Sequence, residues 1–119
     1  MSRIALLAAG LVAALALAAP IGATSSVTKL TGTVGPGFTI TLKKGSAKVK
    51  TLKAGSYKIT VNDKSNIHDF HLTGPGVNKM ITTTPFKGTK TVTVKLKKGT
   101  YKYLCDPHAS VMKGSFKVT

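Results

Sequence analysis

Downstream of residue 23 no stretch of this chain sustains a 3.6-residue apolar period, while Val, Ile, Thr, Tyr and Phe recur at every second position between Gly-containing turns. That alternation excludes a helical bundle and leaves no room for the helices of a parallel α/β fold. Strands are expected at Val27–Val34, Phe38–Lys43, Lys48–Leu52, Tyr57–Asn62, His68–Thr73, Thr91–Lys97, Thr100–Cys105 and Gly114–Thr119. Gly35-Pro36-Gly37, Lys44-Gly45-Ser46, Ala54-Gly55-Ser56, Gly74-Pro75-Gly76 and Lys98-Gly99-Thr100 supply residues that tolerate tight reversals between them. Eight short strands fit a two-sheet sandwich or a Greek-key barrel. Val77 to Lys90 alternates weakly and contains Pro85, so it reads as a long connection across one end.

The first 23 residues differ in kind. Met1-Ser2-Arg3 is followed by sixteen uncharged residues, Ile4 to Ala19, and then by Pro20 and small residues, the layout of a secretory signal peptide. Ala16-Leu17-Ala18 and Ile21-Gly22-Ala23 are the two candidate cleavage motifs. An uncleaved anchor is the alternative, but it needs about 20 apolar residues. The expected division is therefore residues 1–23 as signal peptide and residues 24–119 as one domain, exported to the periplasm, the cell surface or the medium. Its 96 residues are too few for two cores.

Without Arg3, 17 lysines face Asp63, Asp69 and Asp106, and 17 − 3 gives +14 with no Glu and no Arg. Many lysines alternate with apolar residues, as in Lys48-Val49-Lys50, and so belong to solvated strand faces. Such a charge also draws acidic proteins or anionic cell-envelope polymers, and salt screens that attraction. Cys105 is the single cysteine, so no intramolecular disulfide forms. A lone thiol in an exported protein calls for burial or metal ligation to protect it.

Leu52-Lys-Ala-Gly-Ser-Tyr-Lys-Ile59 echoes Leu96-Lys-Lys-Gly-Thr-Tyr-Lys-Tyr103 at an offset of 44. It marks two equivalent strand-turn-strand corners, each sending a Tyr into the core. Beyond the second corner, Cys105, His108 and Met112 put a thiolate, an imidazole and a thioether on one short loop. With a second imidazole, that soft donor set suits copper cycling between Cu(I) and Cu(II). Strand parity selects the second imidazole: His68 is in phase with Phe70 and Leu72, whereas His71 is in phase with Asp69 and Thr73. His68 is therefore expected to face the core and His71 to face out. Tyr101, Tyr103 and Cys105 likewise share a face. Zinc on Cys-His-His is the competing metal, since it needs no thioether.

The run Gly-x-Tyr-x-Tyr-x-Cys-x-Pro-His at 99–108, Met112 followed by Gly114, and the upstream His68 opening a strand with Phe70 resemble the cupredoxin family, which includes plastocyanin, amicyanin, pseudoazurin and azurin. The resemblance covers essentially the whole domain. It implies an all-β, eight-stranded Greek-key sandwich with one copper ion near one end, held by His68, Cys105, His108 and the axial Met112. Two departures stand out. Family members often carry Asn directly after the upstream histidine, where its amide ties the ligand-bearing segments together; this chain has Asp69, which accepts hydrogen bonds but cannot donate them when ionised. The expected outcome is an altered link, or one replaced by a lysine contact. The His-to-Met gap also falls between those of amicyanin-like and plastocyanin-like loops. Pro107 offers no amide to the sulfur and is expected to tune the site.

No Ser-His-Asp pattern, paired carboxylates or phosphate-cradling loop is present, so an enzyme is not expected. The expected role is one-electron transfer, with His108 as exit route and Ala109, Ser110, Val111 and Lys113 meeting an acidic redox partner. A copper carrier or storage protein outside any redox chain is the alternative, and a metal-free polycationic module ranks last, lacking aromatic stacking residues. The domain is expected to be a monomer without specific nucleic-acid binding.

Overall fold

A computed structural model of the chain describes residues 26–119; the segment expected to be a signal peptide, residues 1–23, lies outside the described residues. Two five-stranded sheets pack face to face. The first runs in the order β3-β2-β1-β5-β8 and the second in the order β4-β10-β9-β6-β7. The strands are β1 (Thr28–Val34), β2 (Ile40–Lys44), β3 (Ala47–Lys48), β4 (Thr51–Leu52), β5 (Gly55–Asp63), β6 (Phe70–Gly74), β7 (Val77–Thr82), β8 (Gly88–Leu96), β9 (Gly99–Leu104) and β10 (Lys113–Val118).

The alternation in the sequence becomes the inside and outside of the sandwich. Leu30, Val34, Leu42, Ile59, Val61, Val94 and Leu96 of the first sheet bury themselves against Phe70, Leu72, Tyr101, Tyr103, Phe116 and Val118 of the second. Each such side chain contributes about 1.5–3 kcal/mol through apolar burial. The intervening Lys29, Lys43, Lys58, Lys95 and Lys102 stay exposed.

Ten strands replace the expected eight for two reasons. Lys48–Leu52 is divided between the sheets: β3 pairs with β2 on one side, and β4 pairs in parallel with β10 on the other. Val49, buried between them, marks the crossing; the next buried residue is Leu52, three positions on, so the inward-outward phase slips by one residue where the chain changes sheet. Val77–Lys90 is not a plain connection, since Val77–Thr82 forms β7, an edge strand on β6. Asn78, Lys79 and Met80 are all exposed there, and the register shifts between Phe70 and His71, so no clean alternation develops. The strand expected from His68 begins instead at Phe70, leaving His68 in the connection from β5.

The two echoed corners are structurally equivalent. Tyr57 Oη donates to the carbonyl of Lys53, four residues back. Tyr101 Oη accepts the amide of Lys97 at 3.0 Å, also four residues back, and donates to the carbonyl of Lys97 or Pro75, each 3.0 Å away. Tyr101 therefore clasps its own corner and also the β6–β7 turn. Tyr101→Phe is expected to cost about 1–3 kcal/mol, because it strands a buried amide and carbonyl, and Tyr57→Phe about 1 kcal/mol. Thermal melts check this: the Tyr101 variant should lose the greater part of 10 °C and the Tyr57 variant clearly less, at about 4–8 °C per kcal/mol.

Candidate metal centre

Three segments meet at one end of the sandwich. The β9–β10 hairpin extends one rung past its last paired residues, Leu104 and Lys113, because the Cys105 amide donates to the Met112 carbonyl at 3.0 Å. Above that rung Asp106–His108 form a 3-10 turn, with Pro107 at its start. The His108 amide donates to the Cys105 carbonyl at 3.0 Å, and the amides of Val111 and Met112 donate to the His108 carbonyl at 3.0 and 2.9 Å. The loop is thus closed by its own backbone before any metal is considered. Cys105 and Met112 are fully buried, and His108 is half-buried.

His68 arrives from the β5–β6 connection, two residues before β6, and is fully buried, as are the in-phase Phe70 and Leu72. His71 lies half-buried on the opposite face. His68 thus points inward and His71 outward, as parity expects. Backing His68 is Gly35, whose φ of +73° disfavours any other residue and whose position leaves no space for one: a Cβ there would stand 3.0 Å from His68 Cδ2. His68 Nε2 is buried without a hydrogen-bond partner among the described residues, a cost the fold accepts while aiming Nδ1 at the other donors.

Those donors form a compact triangle. His68 Nδ1 and His108 Nδ1 are 3.1 Å apart, and Cys105 Sγ is 3.7 Å from the first and 3.6 Å from the second. A point equidistant from three atoms so spaced lies about 2 Å from each, which is bonding range for a transition metal and imidazole nitrogen. Two ring nitrogens this close need a proton or a cation between them. Among the described residues His68, Cys105 and His108 form the one group of ligating side chains compact enough to hold a metal ion. Met112 stands at the far foot of the same loop with its thioether removed from solvent.

Asp69 keeps the two ligand-bearing segments together. Its Oδ1 accepts the amide of Asp106 at 2.8 Å, while its own amide points at Cys105 Sγ from 3.4 Å. The expected lysine replacement is not what forms: a carboxylate accepting a loop amide makes the tie. Burial lifts the Asp69 carboxyl above its usual range, and the Asp106 charge adds to this against the opposing Asp106 amide bond. Burial also pushes the Cys105 thiol up, with the Asp69 and Asp106 charges working in the same direction against backbone hydrogen bonding from Asp69 and His108. Without a cation the group is therefore held as the thiol, and a cation at the site would favour its ionisation.

One residue the sequence did not single out belongs to the site. Phe38 presents its ring at 4.9 Å from His108 and 5.6 Å from His68, edge-on to both, although the ring itself is 59% exposed. Alternation places it in the strand expected at Phe38–Lys43, in phase with Ile40 and Leu42, but that strand starts at Ile40 and leaves Phe38 in the β1–β2 turn that folds over the site.

The model for copper binding proteins of the plastocyanin/azurin family matches residues 37–119. The chain belongs to that family. A search of curated protein sequences finds no match. Among solved structures this cupredoxin is similar in fold to rusticyanin, at 20% identity and a TM-score of 0.55 over 79% of this chain and 80% of the other. A methionine-to-glutamine variant of rusticyanin gives 22% identity and 0.54 over the same shares. Auracyanin A, a blue copper protein of the green thermophilic photosynthetic bacterium Chloroflexus aurantiacus, gives 18% identity and 0.54 over 79% of this chain and all of that one.

The donor set fits a single type 1 copper ion. Because a protonated Cys105 must release its proton to ligate, copper affinity of the cupredoxin should rise with pH, by up to about tenfold per unit while the thiol is protonated. Chelator competition between about pH 7 and pH 8 measures this. Cys105→Ser should flatten the slope, and a pH-independent affinity in the wild type would show that the thiol is not a ligand.

Proposed function

We propose that this cupredoxin is an exported one-electron carrier in which His68, Cys105, His108 and Met112 hold one copper ion. The observation that carries the reading is the His68, Cys105 and His108 donor triangle, assembled on a backbone-closed loop and a packed strand. When bound, copper supplies a Cu(I)/Cu(II) couple suited to a thiolate, two imidazoles and a weak thioether.

The protein's part is to keep the donors still. Cys105 is fixed by the hairpin rung, His108 by the 3-10 turn and His68 by core packing against Gly35, so a change in oxidation state meets a frame that resists rearrangement. His108 is the ligand nearest solvent and its ring edge is the natural exit for an electron. Around it Phe38 and Val111, 59% and 65% exposed, supply apolar contact with a docked partner. All three carboxylates lie at this end or are buried, while lysines cover the sandwich's flanks. That excess steers acidic redox proteins toward the molecule and favours contact with anionic envelope polymers.

Addition of Cu(II) to residues 24–119 should produce an intense blue sulfur-to-copper absorption, absent in Cys105→Ser, and voltammetry should show a reversible one-electron wave. The metal should leave slowly to a competing chelator. Rapid surrender of copper without a reversible couple would instead establish a copper carrier, and a colourless wild type would remove the copper reading.

A further inference from the structure

His71, which parity places outside the site, is joined to it by hydrogen bonds. Its Nδ1 lies 2.9 and 3.1 Å from the two carboxylate oxygens of Asp106, and its Nε2 lies 2.6 Å from Oδ1 of Asn78. With the Asp106 carboxylate and Asn78 Oδ1 as acceptors, both ring nitrogens can donate when His71 is protonated, and this pairing favours the imidazolium. Asp106 is the residue between Cys105 and Pro107 in the ligand loop. Its amide donates to Asp69, whose own amide points at the Cys105 sulfur. A continuous line of hydrogen bonds therefore runs from Asn78 on edge strand β7, through His71, Asp106 and Asp69, to the thiolate.

We propose that His71 is a positioning residue for the copper centre, clamping the Cys105–His108 loop to β6 and β7 through Asp106 and so setting the amide-to-sulfur contact made by Asp69. The inference rests on the copper reading above. It follows from how Asp106 is held: Asp69 secures its backbone and His71 its side chain, so without His71 the loop keeps the Asp69 tie and its internal backbone bonds but loses its side-chain anchor to β6 and β7. The charges agree. Asp69 and Asp106 are two carboxylates side by side, and the imidazolium is the cation that compensates them.

The surroundings of His71 contain no competitor for that role. On its own element Asp69 precedes it; from β7, Met80 sits opposite and Asn78 bonds it; from β9, Leu104 sits opposite with Lys102 further along; from β10, Lys113 flanks Leu104. Among the described residues the His71–Asp106 contact is the single ion pair, so none of those lysines reaches Asp106. Burial alone would lower the affinity of His71 for its second proton. The bonds to Asn78 and Asp106 and the charges of Asp106 and Asp69 outweigh it and hold the proton above the ordinary histidine range.

The test uses residues 24–119 as wild type, His71→Leu and His71→Gln, the glutamine retaining one donor for Asp106. His71→Leu should bind copper about tenfold or more weakly, in the range seen when partners of ligands are removed, and should shift the sulfur-to-copper band. The metal-free variant should melt close to wild type, and His71→Gln should recover most of the affinity. Independently, nitrogen NMR of the metal-free wild type at about pH 6.5 should show more than half of the His71 rings protonated on both nitrogens, the direction in which Asp106 and Asn78 push it. A His71→Leu protein with affinity within twofold and an unchanged band would overturn the proposal. So would a neutral His71 ring, which settles the matter even if the leucine variant does not fold. A wild type that takes up no copper would defeat the copper reading, while the NMR result would still report whether the clamp exists.

Discussion

Two hydrogen bonds at Asp69 tie together segments 37 residues apart in the chain: the carboxylate accepts the Asp106 amide at 2.8 Å, and the Asp69 amide faces the Cys105 sulfur at 3.4 Å. On one side of this tie is His68, fixed by the strand that follows it. On the other is a loop carrying a thiol, an imidazole and a thioether. The sandwich brings β6 beside β9, and Asp69 converts that neighbourhood into a fixed separation between donor atoms. A carboxylate serves here because the loop presents an amide hydrogen to accept. Its burial beside a second carboxylate favours a cation nearby, whether a bound metal or a protonated His71.

The same residues explain why the site exists without being stable for its own sake. Two imidazole nitrogens face each other at 3.1 Å, another ring nitrogen is buried without a partner, and a thiol sits where burial and carboxylates oppose its ionisation. The orphaned nitrogen and the opposed thiol cost stability in the metal-free protein, whereas the facing nitrogens share a proton, and a cation among the donors takes that proton's place and offsets the thiolate charge. The core meets that cost. Stacked rings, Phe70 on Tyr103 and Tyr101 on Phe116, fill the core face of the strands that aim the ligands.

What could be read in advance followed from period two. Alternation separated His68 from His71 and put Cys105 on the buried face with Tyr101 and Tyr103, and the repeated corner correctly paired Tyr57 with Tyr101. What escaped was set by geometry that alternation does not encode. β7 has water on most of its length, so its pattern is polar; the stretch from Ala47 to Leu52 changes sheets with a slip of one residue in phase, too short to read as a break; Phe38 reaches the imidazoles by a turn; and the partner of Asp69 is a backbone amide, which no side-chain motif reveals. The ligand types were legible because their chemistry is unusual together. The supports around them were not, because Asp, Asn and His on a surface are ordinary.

The central claim is that the fold positions its donors before metal arrives. Crystal structures of residues 24–119 in metal-free and copper-loaded form test it most directly. The account predicts one copper bonded to His68 Nδ1, Cys105 Sγ and His108 Nδ1, with Met112 at the axial position and those donor atoms displaced by less than about 1 Å between the two, the range of a preorganised site. A loop that refolds by several ångströms on loading, or copper seated on a different set of side chains, would contradict it.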